Sequence, residues 1–182
     1  NSITSLQKAD SIHCYGSEFD VWLAKDNKLV VNHDPVYKMK YMEYSKGDAL
    51  TGLKLSNGEN LPSLQKYLEA GKKCNTKLIL ELKAHNSKKR ETKAVQEILA
   101  MVKKMGLEDR MEYITFSLHA MKEFIRLAPA GTPVFYLNGE LSPKELKDLG
   151  AAGLDYHMGV IKKHPEWIKE AHDLGLKVNV WT

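Results

Sequence analysis

Residues 77–83, K-L-I-L-E-L-K, form a short apolar run that reads as a buried strand. A helix follows over about 89–105, with Gly106 as its C-cap. M-E-Y-I-T-F (111–116) then supplies a second strand. Strand, helix and strand in this rhythm imply parallel strands joined by crossover helices. The pattern continues downstream with a helix at 118–128, the strand P-V-F-Y-L (133–137), and a helix with Ser142 as N-cap and Pro143 at its first position. A short strand at 153–157, a helix at 163–174 and the strand L-K-V-N-V-W (176–181) complete it. Upstream, residues 2–12 read as a helix with Ile3, Leu6 and Ala9 on one side, and strands are expected at roughly 15–22 and 29–33. Residues 35–61 form an irregular excursion containing Gly47, Gly52 and Gly58, and Pro62 opens a helix that runs to about 73. With the excursion set aside, roughly six strand–helix units remain in a single domain over 1–182.

Two of these strands carry acids in a pattern that points to chemistry. In G-S-E-F-D-V-W, Glu18 and Asp20 stand at i and i+2, so a strand projects them from one face. The turn-rich A-K-D-N-K separates this run from L-V-V-N-H-D-P. A hairpin centred on Asp26-Asn27 sets His33 opposite Asp20. A carboxylate pair facing an imidazole is a natural layout for a hard divalent cation beside a general acid/base. The alternative is an exposed strand face with surface charges and an unrelated histidine. Glu81 and Lys83 repeat the i, i+2 spacing on the strand at 77–83. An acid on an apolar strand is costly unless it is paired or holds a metal. Beside Glu18, Asp20 and His33, Glu81 reads as functional rather than as half of a surface ion pair.

Composition narrows the function classes. The chain has 182 residues, enough for one substantial core. Hydrophobic content of 43% and charged content of 27% are those of a globular protein. A formal charge of +4 and a pI near 8.9 favour anionic small molecules, and no basic helix or aromatic-interleaved basic patch indicates nucleic acid. Lys88-Lys89-Arg90 opens a helix and reads as a solvated face, and no apolar stretch is long enough for a membrane span. Cys14 and Cys74 lack metal-site spacing and read as two buried free thiols.

In order along the chain, E-F-D, N-H-D-P, L-P-S-L, E-L-K and V-N-V-W-T resemble the glycerophosphodiester phosphodiesterase family, over essentially the whole chain. The resemblance implies a (β/α)8 TIM barrel with its chemistry at the C-terminal ends of the strands. It implies that Glu18, Asp20 and Glu81 hold Ca²⁺ or Mg²⁺, that His33 is one of two catalytic histidines, and that Lys83 contacts the phosphate. Asn1 resembles the Asn of a short E-N-T-type motif after the family's first strand, and Trp181 the Trp at the end of its seventh, and the resemblance implies that both meet substrate. The family's other catalytic His belongs to an H-R-G motif on the first strand, upstream of Asn1. Against that barrel the chain lacks the first strand and the last unit, so these 182 residues by themselves are expected to be inactive or unstable. V-Y-K-M-K-Y-M follows N-H-D-P where the family carries a threonine- and arginine-rich stretch. The implied reaction splits a small glycerophosphodiester into sn-glycerol 3-phosphate and an alcohol. The alternatives are a related barrel phosphodiesterase acting on phospholipids or lysophospholipids, and a non-catalytic phosphodiester-binding module.

Three aromatics at strand ends, Phe116, Tyr136 and Trp181, are candidates for the pocket wall, with Phe116 and Trp181 expected to meet substrate. His157 follows the strand at 153–157 and is a weaker candidate. His13, His85, His119, His164 and His172 read as surface or packing residues.

Overall fold

The structure, a computed structural model, describes all of residues 1–182. Its strands are β1 (Gly16–Leu23), β2 (Leu29–Val31), β3 (Val36–Tyr37), β4 (Lys40–Tyr41), β5 (Lys77–Leu82), β6 (Met111–Thr115), β7 (Val134–Tyr136), β8 (Gly153–His157) and β9 (Lys177–Trp181). Its helices are α1 (Ile3–Ser11), α2 (Gly47–Thr51), α3 (Leu64–Gly71), α4 (Lys88–Lys104), α5 (Leu118–Leu127), α6 (Pro143–Leu149), α7 (Met158–Lys163) and α8 (Glu166–Asp173). Seven strands make one sheet in the order β2-β1-β5-β6-β7-β8-β9, and β3 and β4 form a separate hairpin. Only β1–β2 is antiparallel within the main sheet; every other neighbouring pair in it is parallel. The fold is therefore α/β, with helices as the crossovers. No helix is long and apolar enough to cross a membrane.

The pleat divides the sheet into two chemically different faces. Phe19, Val21, Leu78, Leu80, Leu82, Tyr113, Val134, Tyr136, Leu154 and Tyr156 belong to the main core, which they share with helix residues such as Leu68, Ile98, Phe124 and Leu146. The alternate positions, Ile79, Ile114, Phe116, Phe135, Leu137 and Trp181, make a smaller cluster on the other face. That second face also carries Glu18, Asp20 and Glu81, so the helix-covered core leaves it free for polar side chains.

Serine hydroxyls start five of the helices. Ser2, Ser63, Ser87, Ser117 and Ser142 each accept a hydrogen bond from a backbone N–H in the first turn of α1, α3, α4, α5 and α6. Each satisfies a donor that the helix itself cannot. Ser142 and Glu145 form a full capping box behind Pro143, as the sequence suggests.

Several boundaries differ from expectation. Pro62 lies one residue before the cap rather than inside the helix, because the Ser63 hydroxyl takes the capping role at the Lys66 N–H. The helix expected at 163–174 is α8, and a further short helix, α7, precedes it; His157 caps α7 by accepting from the Gly159 N–H at 2.9 Å. The excursion at 35–61 is not irregular throughout: it holds β3, β4 and α2. It packs Met42, Leu50 and Leu61 against Trp22, Ala24 and Val30. Both cysteines are free, but only Cys74 is buried, while Cys14 sits exposed beyond the end of α1.

The hairpin register also differs. Val21 pairs with Val31 and Leu23 with Leu29, one residue off the expected pairing. Ala24 donates to the Lys28 carbonyl, enclosing the three residues Lys25, Asp26 and Asn27, and Asn27 adopts a left-handed φ of 64°. A three-residue loop ending in a left-handed residue is a common hairpin closure and shifts the register from that of a two-residue turn. Asp20 thus faces Asn32, whose N–H donates to its carbonyl at 3.0 Å, and His33 lies past the end of β2.

Close approach of β8 and β9 depends on Gly153. A Cβ there would stand 2.0 Å from the Lys177 carbonyl oxygen. Because backbone rather than a flexible side chain is in the way, Gly153→Ala should destabilise the protein by about 2–3 kcal/mol. Urea unfolding checks this, and an unchanged midpoint would contradict it.

Candidate active site

Parallel pairing of β1 and β5 builds the site. Asp20 is in register with Glu81, and Glu18 with Ile79, so Glu18, Asp20 and Glu81 come from adjacent strands on one face. A ligand oxygen from each lies within 4.8 Å of the others. Asp20 and Glu81 are buried, while Glu18 opens on one side to solvent. The Lys83 ammonium stands 3.3 Å from Asp20 Oδ1 and 3.1 Å from Glu81 Oε1. Neither contact has hydrogen-bond alignment, so both oxygens are buried without a hydrogen-bond partner.

The electrostatics follow from this crowding. Desolvation by the surrounding protein, then the charges of Asp20 and Glu81, push the Glu18 carboxyl up to about 8. Burial likewise raises Glu81 to about 7, with Asp20 adding to the shift and Lys83 opposing it. Burial pulls Lys83 down, but Asp20 and Glu81 outweigh it and hold the ammonium above its ordinary range. Three acids share one base, and two buried carboxylate oxygens have no hydrogen-bond partner. This all-oxygen donor set fits a hard divalent cation.

Asn1 completes the support of Asp20. Its amide Nδ2 donates to Asp20 Oδ2 at 2.8 Å, and its Oδ1 accepts from the Asp20 N–H at 2.7 Å. Asn1 therefore orients a carboxylate in this structure, whereas the resemblance cast it toward substrate. His33 is not drawn into the carboxylate cluster. Its side chain is 70% exposed and its Nδ1 lies 2.8 Å from Asp34 Oδ1. Phe116 and Trp181 meet edge to face with ring centroids 5.7 Å apart, and His157 lies 4.9 Å from Trp181. The Trp181 indole N–H donates to the Asp155 carbonyl at 3.0 Å, fixing the ring across β8 and β9. Tyr136, by contrast, is fully buried in the helix-facing core.

The loop after β5 and the first turn of α4 hold residues whose roles the sequence did not reveal: His85 packs as expected, but Arg90, read as part of a solvated face, is engaged. His85 is pinned by its backbone partners: its Nε2 accepts from the Leu23 N–H at 2.9 Å, and its Nδ1 donates to the Lys83 carbonyl at 2.6 Å. The Nε2 acceptor bond requires the neutral imidazole, and burial lowers its pKa accordingly. Buried Glu91 accepts from the His85 N–H and from the Ser117 hydroxyl, which ties this loop to the start of α5. Arg90 donates to the Leu23 and Ala24 carbonyls and to Asn27 Oδ1, which clamps the β1–β2 turn. No spacing rule reveals these roles, because every partner is distant in sequence.

Comparison with known proteins bears on this arrangement. The chain is similar to a glycerophosphodiester phosphodiesterase from Parabacteroides distasonis, with 51% identity and a TM-score of 0.98, covering 100% of this chain and 76% of that one. A phosphodiesterase from Oleispira antarctica, solved in complex with the product sn-glycerol-3-phosphate, is 20% identical with a TM-score of 0.83, covering 99% and 77%. A glycerophosphodiester phosphodiesterase from Agrobacterium tumefaciens is 18% identical with a TM-score of 0.81, covering 100% and 80%. At those identities the last two speak for the fold alone. No curated protein matches the chain. The model of the glycerophosphoryl diester phosphodiesterase family matches residues 1–182, the whole of the chain described above. With Glu18, Asp20, Glu81 and Lys83 gathered on one face of adjacent parallel strands, the chain belongs to the glycerophosphoryl diester phosphodiesterase family of enzymes.

Proposed function

We propose that this protein hydrolyses glycerophosphodiesters to sn-glycerol 3-phosphate and an alcohol, using a divalent cation, Ca²⁺ or Mg²⁺, held by Glu18, Asp20 and Glu81. The observation that carries this reading is the three-carboxylate, one-ammonium cluster on register-matched strands of a member of this family. Membership of the glycerophosphoryl diester phosphodiesterase family supports the choice of product. When bound, the cation offsets the charge of the phosphodiester and the charge that develops on its non-bridging oxygens.

The chain's own side chains have separable tasks. Asn1 holds Asp20 in place through both of its amide atoms. Lys83 supplies a fixed positive charge toward the phosphate, and its ammonium stays protonated across the working pH range because two carboxylates face it. Asp34 accepts from His33 Nδ1–H, which leaves Nε2 to take or give a proton at the attacking or leaving oxygen. Phe116 and Trp181 supply an apolar wall for the glycerol end.

The direct test is release of glycerol 3-phosphate from a glycerophosphodiester by the full-length protein in Ca²⁺, in Mg²⁺ and in chelator. Chelator should abolish release and one metal restore it; release that persists in chelator would refute the metal role. Glu81→Gln and Asp20→Asn should each abolish metal-dependent turnover while circular dichroism shows an intact fold. His33→Ala should lower kcat by at least about 10², and a small change would reduce His33 to a structural residue.

Linkage gives a test that does not depend on turnover. Glu18 and Glu81 have folded pKa values raised to about 8 and about 7. The folded state therefore binds protons more tightly than the unfolded chain between the ordinary glutamate value and those values. Their favourable contribution is complete below the unfolded pKa and is lost as pH rises through 7 to 8. In chelator, Tm should fall from pH 5 to pH 8 through these groups, and added cation should raise Tm more at pH 8 than at pH 5. Glu18→Gln should flatten the trend. A metal-induced shift that is larger at pH 5 would contradict the site.

A further inference from the structure

A cleft of about 340 Å³ is walled by residues that closely follow Asp20, His33 and Lys83 in the chain. Each segment that carries the proposed chemistry runs on into its wall. Trp22 follows Asp20 by two residues on the same strand face, roughly 7 Å further along. Pro35 follows His33-Asp34, and Ala84 and His85 follow Lys83. The remaining wall is Tyr41, Glu43 and Tyr44, contributed by the excursion.

The chemistry of that wall is selective. Tyr41 and Tyr44 are 57% and 62% exposed, with ring centroids 6.2 Å apart in an edge-on arrangement. Trp22 adds a third ring, buried against Met42, Leu50 and Leu61. Glu43 is held by the Asn86 N–H, which lies 3.1 Å from one carboxylate oxygen and 3.3 Å from the other. Asn86 Nδ2 also donates to the Tyr44 hydroxyl at 3.1 Å, so the ring and the carboxylate are positioned by one residue. His85, the one other titratable side chain of the wall apart from the tyrosines, is neutral by its hydrogen bonding. The cleft thus presents three aromatic rings, one negative charge and no cation.

Aromatic faces with a carboxylate attract a cation, and a quaternary ammonium above all, because its methyl groups tolerate desolvation against rings. An acyl chain would desolvate Glu43 without a partner. An anionic head group would be repelled by it. We infer that this cleft receives the head group of the leaving alcohol and selects a quaternary ammonium of the choline type. This rests on phosphodiester hydrolysis at the carboxylate cluster, since a head group bonded to the scissile phosphate is what would reach the cleft.

The test compares kcat/KM for glycerophosphocholine and for glycerophosphoglycerol, whose head group is neutral, with the full-length protein and with Glu43→Gln and Tyr44→Leu. The choline-to-glycerol ratio should exceed one and fall about tenfold in each variant. A ratio that neither variant changes would overturn the inference. Calorimetric titration with choline chloride, in chelator and without substrate, supplies a readout independent of turnover. Binding should be saturable, and about tenfold weaker in Glu43→Gln. Turnover of both substrates with no choline binding would defeat the head-group assignment alone. Choline binding that Glu43→Gln weakens, with no turnover of either substrate, would defeat the hydrolytic reading and leave the cleft assignment standing.

Discussion

Three carboxylates around one ammonium are the constraint on which the rest of this structure turns. Placing acids this close is unfavourable in proportion to their burial, and Lys83 offsets only part of the repulsion. The protein tolerates the arrangement because the acids sit on rigid, hydrogen-bonded strands whose register cannot slip. Shifting β5 by one residue against β1 would turn Glu81 and Lys83 into the helix-facing core, where Leu80 and Leu82 now pack. The hydrophobic face therefore enforces the polar one. A site built this way is preorganised: the strain of like charges is held by backbone pairing and by the Asn1 amide, not by side-chain flexibility.

The two faces of the sheet also explain where chemistry can and cannot occur. On the helix side, large aromatics such as Phe19, Tyr67 and Tyr113 are fully buried, Phe19 packing tilted against Tyr67 and Tyr113 stacking on Phe124. On the other face the apolar cluster is small and reaches the acids only through Ile79, which stands in register with Glu18. Serine caps start α4 and α5 just after β5 and β6, and they keep the connecting loops short and ordered around the site. Glu91 and Arg90, both on the first turn of α4, reach from that helix to the loops and to the β1–β2 turn. One helix start thereby couples the positions of several functional segments.

The excursion between β2 and α3 has a different status. Its inner residues, Met42, Leu50 and Leu61, are buried against Trp22 and Val30, so the segment is packed rather than draped. Its outer residues leave Tyr41 and Tyr44 exposed beside Glu43. Packing explains the first set, and the proposed head-group cleft gives a reason for the second. Lys38 and Met39 take left-handed backbone conformations at the tip of the β3–β4 hairpin, which two-residue hairpin turns of this kind require. Such residues are ordinarily Asn or Gly, which is why the hairpin escaped a reading of turn-forming residue types.

The parallel sheet, the serine-capped α6 and the pairing of Glu18 with Asp20 and Glu81 with Lys83 were legible in the sequence alone. Each rests on a short-range regularity: the period of two along a strand, the capping preference of a hydroxyl, the alternation of strand and helix. The family resemblance already grouped Glu18, Asp20 and Glu81, but the geometry that joins them, the commitment of Asn1 to Asp20, and the walls of the cleft were decided only in three dimensions. They depend on the register between β1 and β5 and on contacts spanning about 20 to 60 residues, which no local pattern encodes. His33 marks the boundary between the two. Its motif was readable from the sequence, but a three-residue turn moved it past the end of β2, and a one-residue change of register is invisible until the hairpin closes.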